Sequence, residues 1–467
     1  MRKNILRVIA VIFLISIFVI GIAVLTACKK EEPKGPIYKL NEDNMTCSIE
    51  RNADFVPEGD FIIPSIYEGK AVTKISENAF QNCTDLTSVT IPNSVVSIGK
   101  NAFNGCRSLT EVVIPSSVTN IGYGAFSVCS ALRNITIPSS VTDIEEMVLE
   151  RCYSLENVTV PYKLLPNLKK ELAQIENLTI SLQDDGVTEI EGCFRGYQHL
   201  KNVSIPESVT VIGDSTFRGC SNLIDITIPS NVSSIGKNAF SGCSNLVSIN
   251  IPNNVTSIGS GAFCECTNLT NVIIPDSVTT IGGSAFRDCI NLIDIVIPHS
   301  VTSLGGSAFN GCSNLTNVQL SNKITKIEGW TFRNCSSLVN ITIPDGVTSI
   351  GEYAFYKCSQ LKNINLPKNL NTISGMAFSY CPIESVVVPD GTTRIYSAFN
   401  NCPALTHVTI PKSIDSLGTY TFMECSNLTE INYLGLISDF NAIEKDYSWR
   451  FKSGIKKVVC TDGEIVF

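Results

Sequence analysis

One block of residues recurs every 23 positions along most of this chain. LTEVVIPSSVTNIGYGAFSVCSA, beginning at Leu109, is one copy, and the shared pattern is L-x-x-V-x-I-P-x-x-V-x-x-I-G-x-x-A-F-x-x-C-x-x. The leading Leu falls at Leu86, Leu109, Leu132 and Leu155, and again at Leu200, Leu223, Leu246, Leu269, Leu292, Leu315, Leu338 and Leu361. Ile383 and Leu405 continue the series after two small deletions. Leu428 opens a last partial copy, and an irregular one covers Phe61 to Cys83. A fixed short period means that no copy can bury its apolar face alone, so the copies must stack. Independent globular domains are thereby excluded, although 467 residues would suffice for several.

Within one copy, V-x-I alternates as a strand does, one residue in and the next out. The Pro that follows has no N–H and ends the ladder. V-x-x-I reads as a second short extended segment on the opposite side, Gly as the support of the turn after it, and A-F-x-x-C as a helical turn that closes the coil. The expected interior is a set of columns of like residues. Fourteen of the 21 Phe fall in one of them, from Phe80 to Phe422.

The IP step, the Ile-Gly and the Ala-Phe-x-x-Cys together resemble the leucine-rich repeats of the BspA-like bacterial surface proteins. The resemblance implies a right-handed leucine-rich-repeat solenoid. Its parallel β-sheet lies on the concave face, with short extended segments and helical turns on the other side. Residues 36–60 and 433–467 read as caps on a solenoid spanning 61–432. Residues 161–199 break the rhythm. The run LLPNLKKELAQI lacks both the Phe and the Cys, and Leu164, Leu168, Leu172 and Ile175 share one helical face. A disturbed coil is expected there, placed at Ile175, with a helix in place of the convex turn and the sheet continuing beneath it.

The N-terminus carries its own signal. Arg2, Lys3 and Arg7 precede an apolar run from Val8 to Ala27 that ends in Leu25-Thr26-Ala27-Cys28. That tetrapeptide resembles the lipobox of bacterial lipoproteins. The resemblance implies a signal peptide over 1–27, a lipidated Cys28 and a tether over 28–35. An uncleaved membrane anchor is the alternative, since about 20 apolar residues span a bilayer core. Both readings put the body outside the cytoplasm. Lys29-Lys30-Glu31-Glu32 resembles signals that send lipoproteins to the cell surface.

Fourteen of the 19 Cys occupy a single repeat position. Export would favour disulfides, but Tyr197 takes the position once, which packing tolerates and pairing does not. A column of free thiols acting as small apolar groups is the expectation. Cys264-Glu265-Cys266 is a lone C-x-C without the second pair that zinc needs.

Net charge is −8, against nucleic acid, and three His disfavour a His-built centre. No nucleotide loop, HExxH or nucleophile elbow occurs. The expectation is a monomer with no catalytic residue, no metal and no cofactor. It is held to the membrane by its lipid and takes a protein or glycoprotein partner, host extracellular matrix among them. The family resemblance implies adhesion to host matrix, host cells or other bacteria. A structural or assembly part of the envelope is the alternative.

The outward strand positions are filled mostly by Thr, Asn and Ser. Ile224, Val247, Ile273, Ile293, Val296 and Val339, with Asp225 and Asp294 beside them, are the exceptions in the middle coils. They form the candidate partner-binding patch, because a contiguous exposed apolar area marks interaction more often than a lone residue does. Arg133, Glu156, Glu176, Lys201, Lys362 and Glu384 lie toward the flanks.

Overall fold

A computed structural model describes residues 35–467, so the segment expected as a signal peptide, Cys28 and nearly all of the expected tether lie outside the described residues. The chain is a parallel β-solenoid of about 18 turns. On one side, strands from Gly59–Ile62 through Leu86–Thr90, Glu111–Val113, Asn134–Thr136, Asn157–Pro161 and Leu178–Gln183 to Leu200–Ser204 pair side by side. Later coils continue this side in shorter sheets. On the other side, two-residue strands such as Ser97–Ile98, Asn120–Ile121 and Asp143–Ile144 pair coil upon coil. Between the two, the Pro carbonyl accepts the N–H three residues on, as in Val95 to Pro92 at 3.0 Å.

The core is a set of columns. Phe rings of successive coils lie nearly parallel, with centroids 5.3 Å apart for Phe263–Phe286 and 5.5 Å for Phe286–Phe309. Most Phe carbonyls of the column accept two hydrogen bonds. One comes from the Cys N–H of its own coil, as from Cys289 to Phe286 at 3.2 Å. The second comes from the thiol of the next coil, as from Cys312 Sγ to Phe286 at 3.1 Å. Thirteen thiols donate in this way, the first from Cys106 to Phe80 and the last from Cys425 to Phe399. All described cysteines are free. Burial pushes the Cys83 thiol up to about 11 and that of Cys106 to about 12, so neither supplies the thiolate that exchange needs.

The repeated Gly has a different use from the one its turn suggests. Gly99, Gly236 and Gly259 lack a positive φ. A Cβ on them would lie 2.7, 2.6 and 2.5 Å from backbone atoms of the preceding coil. Close coil-on-coil approach requires Gly there.

The irregular coil keeps this register. The helix belongs to the coil that Leu155 opens, and the next coil opens 23 positions later at Leu178, which pairs with Leu200. Ile175 does not open the coil; it fills the Cys position, and Leu149 and Leu172 fill the Phe positions, all buried. Ile175 N–H donates to the Leu172 carbonyl at 3.3 Å, as Cys does to Phe elsewhere. A 3-10 turn Tyr162–Leu164 and the helix Leu165–Leu172 replace the two-residue strand and turn. The neighbouring coils therefore lose their backbone partners, and side chains stand in. Asn167 Nδ2 donates to the Ile144 carbonyl at 2.9 Å, and Glu171 Oε1 accepts from Met147 N–H at 2.9 Å. On the far side the Tyr162 hydroxyl accepts from Glu191 N–H at 3.2 Å.

Both ends are closed. Ile37–Leu40 runs antiparallel to Thr46–Glu50, which pairs parallel with Lys70–Ile75. At the C-terminus, Lys457–Cys460 and Gly463–Val466 form a hairpin. The helix Ile437–Ala442 is fastened to it by Ile437 N–H donating to Asp462 Oδ1 at 2.8 Å. Trp449 meets the last ring of the column, Phe422, edge-on at 6.2 Å.

Removing a stand-in leaves a ladder group unpaired. Asn167→Ala or Glu171→Ala is expected to destabilise by about 1–3 kcal/mol, read from chemical denaturation. Burial raises the Glu171 carboxyl above its ordinary value. The folded state therefore holds that proton longer than the unfolded one. The group's contribution is present at acid pH and lost as pH rises through the folded pKa. Glu171→Gln, which keeps the acceptor, should accordingly gain on wild type between pH 4 and pH 7.

Candidate binding face

The inward residues of L-x-x-V-x-I are committed to the core, so function must be read from the three outward columns. In the first, just after Leu, a Thr hydroxyl donates to a carbonyl of the preceding coil. Thr110 donates to Thr87 at 3.3 Å, Thr270 to Val247 at 3.3 Å and Thr316 to Ile293 at 3.2 Å. In the second, amides ladder, as from Asn157 to Asn134 at 2.8 Å. Thr and Asn are thus structural here, and the side chains that depart from them are free for another purpose.

Ile224, Val247, Ile293 and Val339 occupy the first column, and Ile273 and Val296 the third; all six are exposed. They do not merge into one patch. Ile224 and Val247 sit on adjacent coils, but Thr270 separates them from Ile293, and Thr316 separates Ile293 from Val339. Ile273 and Val296 make a second short row, on neighbouring coils in the third column. Ile293 and Val296 share a coil. The aliphatic groups are also not confined to the middle. Val113 and Val387 stand in the third column near either end and are 63% and 66% exposed, much like Ile273 at 67%. Period counting alone would have found both. Asp294 is engaged, accepting from Asn317 Nδ2 at 2.7 Å and Thr316 Oγ1 at 3.3 Å. Asp225 accepts from its neighbour's N–H, Ile226, at 2.8 Å.

The flanking charges are drawn together more closely than the apolar residues. Arg133, Glu156, Glu176 and Lys201 line one cleft of about 710 Å³ together with Tyr153 and Asn177. Arg133 Nη1 and Glu156 Oε1 are 3.0 Å apart and both exposed, a pair worth little to stability. The cleft borders the helical coil, which supplies Glu176. It offers both signs of charge and a phenol to a partner, on a face that is otherwise hydroxyl and amide.

Among the described residues no group of His, Cys, Asp and Glu could hold a metal ion, and no helix is long and apolar enough to cross a membrane.

The family model described as BspA type leucine rich repeat region (6 copies) matches residues 73–172, 169–293, 279–398 and 395–446. No curated protein matches the chain. Among solved structures, a leucine-rich repeat protein from Bacteroides ovatus is similar at 26% identity, covering 90% of this chain and 98% of its own, with a TM-score of 0.45. A leucine rich cell surface protein from Faecalibacterium prausnitzii is 28% identical, covering 88% of this chain and 96% of its own, with a TM-score of 0.31.

Because the exposed side chains of Ile273 and Val296 serve no ladder, Ile273→Asn combined with Val296→Thr should leave stability within about 0.5 kcal/mol of wild type. Chemical denaturation measures this.

Proposed function

The chain belongs to the BspA-type leucine-rich repeat family, and from that premise we propose that it is a lipid-anchored protein of the bacterial cell surface. It seats a protein or glycoprotein on the face built from the L-x-x-V-x-I strands, in adhesion to host matrix, host cells or other bacteria. Proteins of this family are in general surface or protein-interaction proteins. The observation that carries the reading is the division of labour on that face. Thr and Asn serve the ladder, while the aliphatic rows and the charged cleft serve nothing inside the molecule beyond one exposed ion pair. Partners that combine apolar contact with a polar rim use surfaces of this kind. An extended open face is also the usual gift of stacked repeats.

On this proposal the cleft beside the helical coil steers and orients the partner, because exposed charges act mainly on encounter and register. The aliphatic rows across the middle coils add the apolar contact. Residues 28–35 form the tether and Cys28 carries the lipid. Two or three acyl chains, at about 0.8 kcal/mol per buried methylene, anchor stably where one would not.

Three measurements test it. Mass spectrometry of the membrane-extracted N-terminal peptide should begin at lipidated Cys28; an intact Met1 species would leave only the membrane-anchor reading. Protease added to intact cells should remove the protein; protection would favour the envelope-assembly role. Capture from host matrix and bacterial surface extracts should recover a partner. Its yield should fall with Arg133→Glu plus Lys201→Glu, and with Ile273→Asn plus Val296→Thr. An unchanged yield in both variants would move the site off this face.

A further inference from the structure

A second exposed feature lies away from the strand face, on the turn edge of three successive coils. Trp330, Arg333, Tyr353, Tyr356, Lys357 and Tyr380 form a ridge there. Ring centroids are 4.8 Å apart for Trp330–Tyr353, 5.2 Å for Tyr353–Tyr356 and 5.4 Å for Tyr356–Tyr380. The Arg333 guanidinium lies 4.6 Å from the Trp330 ring, and the Lys357 ammonium 5.4 Å from Tyr356 and 5.6 Å from Tyr380.

The fold does not require these residues. Trp330, Tyr353 and Tyr380 have φ of +66°, +56° and +64°, the left-handed region that bulky side chains avoid. Most coils put small residues at the same places, as at Asn78, Asn101 and Gly261 where Trp330 and Tyr353 stand, and at Gly219, Gly242 and Gly311 where Tyr380 stands. Met147, Met376 and Tyr420 share the first place and Val128, Glu265 and Lys357 the second, but only at 330–380 do such side chains gather as contacting rings on successive coils. Nor is the strain offset by full burial, since Trp330 is 38% and Tyr380 43% exposed. Exposed rings gathered on successive coils, on backbone that smaller residues suit better, point to a use outside the fold.

Its chemistry narrows the ligand. Among the described residues the side chains of Arg333 and Lys357 and the three phenols make no hydrogen bond or ion pair. Arg333 Nε is shielded from water without an acceptor. The ridge thus holds unspent N–H and O–H donors beside ring faces. Glu328 and Glu352, in the same turns, offset the two cations, so no net charge calls for an anionic polymer. The rings follow one another at about the coil spacing, which suits a ligand that repeats along its length.

We propose that this ridge binds a neutral polysaccharide. The C–H faces of successive pyranose rings stack on Trp330, Tyr353 and Tyr380, and their hydroxyls accept from Arg333, Lys357 and the phenols. The site is separate from the strand face and does not depend on what that face binds.

The test is affinity electrophoresis of the full-length chain in a polyoxyethylene detergent, through gels containing hydroxyethylcellulose, galactomannan or carboxymethylcellulose. Wild type should be retarded by at least one of the two neutral polymers. Trp330→Asn with Tyr380→Gly should weaken that retardation at least tenfold without lowering the melting temperature, because other coils fold with those residues at those positions. No retardation by either neutral polymer would overturn the proposal, as would equal retardation of wild type and variant. So would retardation by carboxymethylcellulose alone that salt abolishes. Loss of a captured protein partner through the same substitutions, with no polysaccharide effect, would assign the ridge to a protein instead and also overturn it.

Discussion

Most coils meet their neighbour through a Phe carbonyl that accepts twice, from the Cys N–H of its own coil and from the thiol of the next. A carbonyl has two lone pairs, and a buried one left half-used is tolerated less well inside a protein than in water. The thiol answers that need with a donor small enough to fit beneath the stacked rings. This one contact ties together features that otherwise look independent. It fits the coil spacing, held by the strand ladders, at which the rings lie parallel. That spacing brings backbones so close that Gly236 and Gly259 admit no Cβ. It also occupies the sulfur, so a protein expected outside the cytoplasm keeps a column of thiols without needing disulfides.

The helical coil shows what the repeat can and cannot vary. Leu149, Leu172 and Ile175 keep the interior columns filled where Phe and Cys are missing. Asn167, Glu171 and Tyr162 keep the ladder satisfied where the backbone has turned into a helix. Interior and ladder are the fixed requirements. Outward positions that serve no ladder are free, which is why the charged cleft, the aliphatic rows and the aromatic ridge can sit at different places on one scaffold. A substitution outside costs a solenoid little; a substitution in a column is felt by both neighbours.

Much of this is legible in the sequence because a period of 23 fixes which residues share a column. The solenoid, the Phe column, the unpaired thiols and the exposure of Ile224 to Val339 all follow from counting. Three things do not. The role of Gly depends on how near the next backbone comes, and a turn explains it equally well on paper. The irregular coil hides its register: its apolar helix face puts Ile175 forward, whereas the strict spacing from Leu155 points to Leu178. The site is the least legible part. Column membership says that a residue faces out, not what it touches. So Val113 and Val387 are missed beside Ile273, and the gathering of Arg133, Glu156, Glu176 and Lys201 into one cleft is read as scatter. The aromatic ridge escapes because left-handed backbone at Trp330 and Tyr380 leaves no mark in sequence.

The dependence on donating thiols is tested most directly by counting them. Protein isolated from cells without reductant is alkylated with iodoacetamide while folded, then again after denaturation, and its mass is taken each time. Buried and hydrogen-bonded thiols predict almost no label on the folded chain. All fourteen column cysteines should then take the label once it is unfolded, still without reductant. Thiols that stay unlabelled in pairs until a reductant is added would mean that the column is cross-linked, and the carbonyl-bridging account would fail.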